Sequence, residues 1–365
     1  MRLGVGACLV GDEVLSGDVA VEDGVVTEVG LPAGNSRLTA VPGFIDVHFH
    51  GHGGVEFASS TITEHQELAR RITATGVTAY QPTLWTMPLE ATIDAIARHP
   101  GEVEHGARVL GFHLEGPFLS PDKVGAHEPE LLLPPTPHTA EELLGAGPVD
   151  QMTIAPELEG ALETIEYLVD RSVTVSLGHS LATSEETDRA LDAGAEAFTH
   201  VFNAMRPFDH RDPGILGLAL GGDRGYLTAI FDGIHFSDEA AVVLIRCAGD
   251  RLVAMTDGTA ATGSTSPTVV LGGHECKIIE GAPRHPDGTI AGSILTMDAA
   301  FRKLVSLGLT IPQAVQAVAA TPAKLAQRRD LGTIEVGRAA DITILDESLQ
   351  VTRTLVAGVE VFRRD

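Results

Sequence analysis

The chain has 365 residues, 44% of them hydrophobic but only 4% aromatic, so Ala, Val, Leu and Ile must fill whatever core it builds. Its 50 acidic against 25 basic side chains give a formal charge of −25. That field opposes non-specific binding to nucleic acid or anionic membrane, and an anionic substrate must find a local basic pocket. Three widely spaced cysteines, Cys8, Cys247 and Cys276, form neither a CxxC pair nor a disulfide framework. With no signal-peptide apolar region and no membrane-length run, the expectation is a cytoplasmic protein with no nucleic-acid or membrane partner.

Strands open the chain. The alternating segments on either side of Asp23-Gly24 are a hairpin signal, because that dipeptide accepts the positive φ values of a tight turn. The C-terminal stretches 340–345, 350–356 and 359–362 have the same β character. Both ends being β-rich predicts a small β-sandwich domain formed from both termini, residues 1–41 plus 331–365, around a central domain of residues 42–330.

Pro42-Gly43 introduces Phe44-Ile-Asp-Val-His48-Phe-His50, a strand whose last two imidazoles share a face, since residues two apart in a strand point the same way. Such a pair can aim two neutral nitrogens at one ion, although two histidines in an apolar strand are more often simply packed. Further strands are predicted at 77–83, 108–115, 152–155, 173–179, 197–200, 227–232 and 252–257, separated by helical segments such as 64–75, 89–98, 157–170, 184–193 and 238–248. Leu131-Leu-Leu-Pro-Pro-Thr-Pro137 reads as an irregular loop. Regular βα alternation through eight strands predicts an α/β fold, a (β/α)8 TIM barrel. A doubly wound sheet would alternate too, but no Gly-rich dinucleotide turn follows the first strand.

Chemistry in such a barrel sits where the strands end. Five of the eight predicted strands end in candidate metal ligands: His48 and His50, Glu115, His179, His200 and Asp257. Each alone has a bland reading as a capped turn carboxylate or a hydrogen-bonded core histidine. All of them at strand ends point instead to a metal centre.

Pro42-Gly-Phe-Ile-Asp-Val-His48, His113-Leu-Glu-Gly-Pro-Phe-Leu119, Gly178-His-Ser180, Thr199-His-Val-Phe-Asn-Ala-Met205 and Thr256-Asp-Gly258 together resemble the amidohydrolase superfamily and, within it, the N-acetylglucosamine-6-phosphate deacetylases. The likeness runs through Ala291-Gly-Ser-Ile-Leu-Thr-Met297 to the return at Gly337-Arg-Ala-Ala-Asp341. The resemblance implies a divalent metal, Zn, Fe, Co or Mn, as one or two ions per subunit. Glu115, His179 and His200 would hold one ion. His48, His50 and Asp257 would hold a second, with Glu115 bridging. Many binuclear relatives use a carboxylated lysine on strand 4, where this chain has Met152-Thr-Ile-Ala-Pro-Glu157 and no lysine.

The same resemblance implies hydrolysis of N-acetyl-D-glucosamine 6-phosphate to glucosamine 6-phosphate and acetate, in amino-sugar catabolism and cell-wall recycling. A dication held by neutral imidazoles lowers the pKa of water to about 7. Asp257 would take the water's proton and pass it to the leaving amine. Asn203, the backbone amide of Ala204 and Arg211 would hold the phosphate, with Arg211 often supplied by the neighbouring subunit of a homodimer. Its bland reading is a surface pair with Asp209 or Asp212. His127 and His235 match substrate-contacting histidines, while His52 reads as a loop residue. Where many relatives carry Ala and Met after the Asp, this chain has Gly258-Thr259, which touches on acyl selectivity. Residues 263–280 suggest no role. The alternatives are the galacto epimer, another N-acyl amine, or a non-catalytic scaffold that would be expected to have lost ligands.

Overall fold

A computed structural model describes residues 1–364. Its centre is a parallel barrel with strands β1 (Phe44–Phe49), β2 (Val77–Leu84), β3 (Phe112–Glu115), β4 (Val149–Ile154), β5 (Thr174–Leu177), β6 (Ala197–Phe198), β7 (Tyr226–Ile230) and β8 (Leu252–Met255). Each strand pairs with the next in chain order. β1, β2, β3, β5, β6 and β8 are buried at every residue, as a parallel sheet covered on both faces requires.

The β8–β1 seam closes differently. Instead of a full ladder it has a single parallel bridge, Phe49 to Gly258, with the Asp257 N–H donating to His48 O at 2.9 Å and the His50 N–H donating to Gly258 O at 2.6 Å. The buried Asp46 carboxylate crosses the gap, accepting from Thr256 Oγ1 at 2.5 Å and from Thr256 N–H at 3.2 Å. A side chain thus adds hydrogen bonds to a seam that has only a few from the backbone.

Helices α1 (Ile62–Arg71), α2 (Leu89–Ala97), α3 (Pro137–Gly145), α4 (Ala161–Val169), α5 (Ser184–Asp192), α6 (Gly214–Gly221), α7 (Asp238–Ala248) and α8 (Met297–Ser306) alternate with the strands. Thr61 and Thr183 start α1 and α5 with capping boxes to Glu64 and Glu186.

Most elements shift by a few residues from the sequence expectation, and three differences have a clear physical cause. The strand predicted at 108–115 is two pieces, Arg108–Val109 and β3, because Gly111 turns its N–H onto the Asp150 carboxylate at 2.7 Å. The loop ending at Pro137 stops one residue sooner, with Pro137 as the first residue of α3 and Thr136 capping it. The helix predicted from 157 begins at Ala161, where Gly160 at φ 84 breaks the run and frees Glu157 for another task.

Outside the barrel, a six-stranded sheet mixes both chain ends in the order Glu13–Ser16, Ala7–Val10, Thr39–Pro42, Ile342–Leu345, Val351–Val356, Val359–Arg363. It has its own apolar core around Val5, Cys8, Ile342 and Leu355. The hairpin Asp18–Glu22/Val25–Leu31 turns at Asp23 (φ 49) and Gly24 (φ 81), both left-handed as the dipeptide predicts. After β8 comes a three-stranded antiparallel flap, Thr268–Leu271, His274–Ile279 and Ala282–Arg284, its first two strands within residues 263–280, for which sequence suggested no role. Among the described residues no helix is long and apolar enough to cross a membrane.

Candidate metal centre and active site

The barrel brings all six predicted ligands to its C-terminal end, where each is less than one-tenth exposed. His48 and Glu115 lie within β1 and β3, and His50 directly follows β1. His179, His200 and Asp257 each lie two residues past the ends of β5, β6 and β8, with φ values of 47, 34 and 50. Non-glycine residues rarely adopt this left-handed conformation, and each instance costs on the order of 1–3 kcal/mol. Here it turns each side chain inward over the barrel mouth.

The nitrogens converge in two groups. His179 Nε2 and His200 Nε2 lie 3.0 Å apart, and 3.1 and 2.9 Å from Glu115 Oε1. His48 Nε2 and His50 Nε2 lie 3.2 Å apart, and 3.5 and 3.2 Å from Asp257 Oδ1. Glu115 also reaches this second group, with His50 Nε2 at 3.3 Å from Oε2 and His48 Nε2 at 3.6 Å from Oε1. Glu115 therefore stands between the two groups, as a bridging carboxylate would.

The field at this cluster favours positive charge. Burial raises the pKa of Glu115, but His48 and the surrounding imidazoles more than offset this and hold it well below the carboxylate range. Asp257 is likewise lowered, with His50 and His48 outweighing its burial. Burial lowers the pKa of His50, yet Asp257 and Glu115 push it up to about 9. A proton on His50 is what the protein alone can offer to two buried carboxylates. Neutral imidazoles and carboxylates in this arrangement fit a divalent cation, since soft thiolates are absent and N/O donors suit Zn, Fe, Co and Mn alike.

His127 stands against the same carboxylate, its Nε2 3.3 Å from Glu115 Oε2 and close enough to form a ligand triple with Glu115 and His179. Its other nitrogen decides its role. Nδ1 accepts the Thr86 N–H at 3.2 Å, so in the neutral ring the hydrogen is on Nε2. Burial drives its pKa down to about 4, which keeps the ring neutral. His127 is thus a hydrogen-bond donor facing the cluster, whereas His179 donates from Nδ1 to Lys123 O at 2.8 Å and leaves Nε2 as a lone pair.

The remaining predicted residues are placed unequally. His235 is fixed by Asp232, whose Oδ2 accepts from Nδ1 at 2.7 Å. Burial lowers its pKa, but Asp232 raises it above the ordinary value overall. Asn203 is half-buried and donates back into the turn, to His200 O at 3.3 Å. Ala204 has φ 49, which turns the backbone at the end of this loop. Arg211 is exposed and outside the buried cluster, its backbone N–H on Asp209 Oδ1 at 2.8 Å. Asp212 pairs with Arg206, so among the described residues Arg211 forms no ion pair with either predicted aspartate. His52, read as a loop residue, instead lies in the two-residue strand Gly51–His52, which pairs with Val55–Glu56 just after β1.

Several contributors went unread. Trp85 lies face-on against His50, ring centroids 3.5 Å apart at 12°, and donates from Nε1 to Glu56 Oε1 at 2.7 Å. Thr86 fixes the His127 tautomer and donates from its hydroxyl to Glu115 O at 3.0 Å. Glu157 braces the turn after His179, accepting from Ser180 Oγ and Leu181 N–H, each at 2.6 Å. The one signal available was that Trp85 is the sole tryptophan, set directly after a strand.

Comparison with known proteins agrees with this geometry. The model of the amidohydrolase family matches residues 39–361. The N-acetylgalactosamine-6-phosphate deacetylase of Escherichia coli O157:H7 is 34% identical over 349 residues, covering 93% of each chain. Human N-acetylglucosamine-6-phosphate deacetylase is 38% identical over 343 residues, covering 89% of this chain and 83% of the relative. The solved structure of a mutant N-acetyl-D-glucosamine-6-phosphate deacetylase from Mycobacterium smegmatis, in complex with N-acetyl-D-glucosamine-6-phosphate, superposes with a TM-score of 0.92 at 34% identity, covering 99% of both chains.

Proposed function

This chain belongs to the amidohydrolase family, and from that premise we propose that it is a metal-dependent hydrolase converting N-acetyl-D-glucosamine 6-phosphate to D-glucosamine 6-phosphate and acetate. The observation that carries this reading is Glu115, standing between the His179–His200 pair and the His48–His50–Asp257 group at the mouth of the barrel. Glu115, His179 and His200 would hold one divalent ion, zinc first among the candidates, and His48, His50 and Asp257 a second. A bound ion supplies Lewis acidity that acidifies water and polarises a carbonyl.

The chain's own residues do the rest. The His127 Nε2–H is a neutral donor aimed at the cluster and suits the amide carbonyl oxygen, where negative charge grows during attack. Asp257 takes the proton of the attacking water and delivers it to the amine, which leaves only once protonated. Arg211, Asn203 and the Ala204 amide bind the 6-phosphate, and His235 contacts the sugar. Arg211's exposure supports its acting across the interface of a homodimer, where a planar guanidinium suits bidentate phosphate contact. The same proposal includes a cytoplasmic location and a division into a terminal β unit, 1–41 plus 331–365, and a barrel, 42–330, supported by the sheet that both termini share.

A second reading has its own support: the galacto epimer, which the Escherichia coli relative is named for. Acetate release from the two 6-phosphorylated N-acetyl sugars, each with its unphosphorylated counterpart, tests both. Preference for the phosphorylated gluco sugar supports the main reading, equal or greater turnover of the galacto sugar transfers it to the second, and no acetate from either ends both.

A further inference from the structure

Beside His127 lies a small, partly open cavity of about 20 Å³. That is room for one methyl- or water-sized group. Trp85, Ala126, Leu271 and Ala291 form its apolar wall, and Thr86, Glu128 and His285 line the rest. One of them, Leu271, does not belong to the barrel. It ends the first strand of the flap after β8 and is 1% exposed, although its strand neighbour Val270 is 59% exposed. Leu271 packs with Ala260, Ala291 and the flap's own Cys276, so these inward side chains are buried while Val270 and much of the second strand face water.

Two polar contacts hold the flap tip there. Glu56 Oε1 accepts both the Trp85 indole N–H at 2.7 Å and the Gly272 N–H at 3.0 Å. Glu128, next to His127, pairs with His274 at 2.5 Å. The turn between them, Gly272 and Gly273 at φ 55 and 88, uses a backbone that other residues adopt only under strain. The hairpin thus positions Leu271 against the same two side chains, Trp85 and His127, that border the reacting cluster.

We propose that Leu271, carried on this flap, sets the size of the acyl pocket and restricts the enzyme to N-acetyl and smaller N-acyl groups. This rests on the deacetylase reading given above. If His127 Nε2–H meets the amide oxygen, the acyl methyl, bonded to the same carbon, lies about 2.4 Å from that oxygen by ordinary bond lengths. On the His127 side this cavity offers apolar space of methyl size. Gly258 and Thr259, which sequence connected with acyl selectivity, are engaged elsewhere. Gly258 O accepts the His50 N–H at 2.6 Å, and the Thr259 hydroxyl donates to Ser293 O at 3.2 Å.

The test compares kcat/KM for N-formyl, N-acetyl, N-propionyl and N-butanoyl glucosamine 6-phosphate on the metal-loaded protein. One methylene in a closed apolar pocket changes discrimination by roughly 10- to 200-fold, so the unmodified enzyme prefers acetyl over propionyl within that range. Leu271→Ala brings the propionyl/acetyl ratio up by at least about tenfold, and Leu271→Phe depresses acetyl relative to formyl by a similar factor. Both variants are followed by thermal melting, and the ratios are read within each variant, so a uniform loss of active protein cancels. Unchanged acyl ratios in both variants, with acetyl turnover retained, overturn the pocket assignment and leave the deacetylase reading standing. Failure of the unmodified enzyme to release acid from any of the four overturns the deacetylase reading, and this inference with it.

Discussion

Replacing Asp257 with asparagine separates proton transfer from architecture. At φ 50 this position favours asparagine over alanine, because Asn tolerates the left-handed region. The seam contacts made by residue 257 run through its backbone, with N–H to His48 O at 2.9 Å and the carbonyl accepting Ser293 N–H at 2.7 Å. The isosteric amide therefore keeps the closure and removes the charge and the basic oxygen. Loss of a general acid–base group lowers kcat about 10²- to 10⁴-fold, or about 2.7–5.4 kcal/mol of barrier at 1.36 kcal/mol per decade. Substrate affinity is carried by other residues, so KM stays within about threefold. Because Asp257 Oδ1 also lies 3.2 Å from His50 Nε2, metal per subunit is measured alongside kinetics. The loss should persist in preparations whose metal content matches the parent. An intact kcat with a raised KM would refute the assignment and leave Asp257 as a substrate-positioning group.

Three further outcomes follow from the same geometry. A strong chelator abolishes turnover, and His179→Ala or His200→Ala lowers bound metal and activity together; full activity in verified metal-free protein would count against a metal centre. Arg211→Ala lowers kcat/KM on the 6-phosphate sugar by roughly ten- to two-hundred-fold, the value of one charge-assisted contact, with little effect on the unphosphorylated sugar. If the arginine acts across subunits, mixing that variant with Asp257→Asn restores part of the activity, whereas equal losses on both sugars would make Arg211 structural. His65, buried against Phe57 and Tyr80, is pushed down to about 3 by burial, with His99 adding to the effect. Since its folded pKa lies below the unfolded value of about 6.5, its contribution is intact above that pH and is lost as pH falls towards 3, by about 1.4 kcal/mol per unit. Urea unfolding from pH 7 to 4 reads this slope, and His65→Phe should flatten it; parallel curves would refute it.

The barrel and its candidate ligands could be read from the chain because both are written locally. An apolar run followed by a histidine or acid marks a strand and its end, and the side chains gathered at 48, 50, 115, 179, 200 and 257 all carry that mark. The Asp23-Gly24 turn was readable for the same reason. What escaped depends on approach between distant segments. Glu157 carries helix propensity, but Gly160 stops the helix and Ser180 and Leu181 claim the carboxylate. Thr86 matters through its backbone N–H, which sequence does not distinguish from any other. The flap's first two strands are short and largely exposed, and nothing in their sequence marks Leu271 and Cys276 as the residues that face inward.

The way the barrel closes makes the two ligand groups unequal as the chain emerges during synthesis. Glu115, His179 and His200 come from β3, β5 and β6, all within one uninterrupted run of ladders, so that group is complete when residue 200 has been made. His48, His50 and Asp257 come from the two edges of the sheet and meet only where Asp46 and Thr256 join the first strand to the last. At about 5–20 residues per second, the second group follows the first by several seconds. An ion held there would act as a clasp on a finished cylinder, whereas one held at the first group would need only a half-built sheet. Gradual metal depletion should therefore leave the first group's surroundings ordered while the β8–β1 edge begins to exchange its amides.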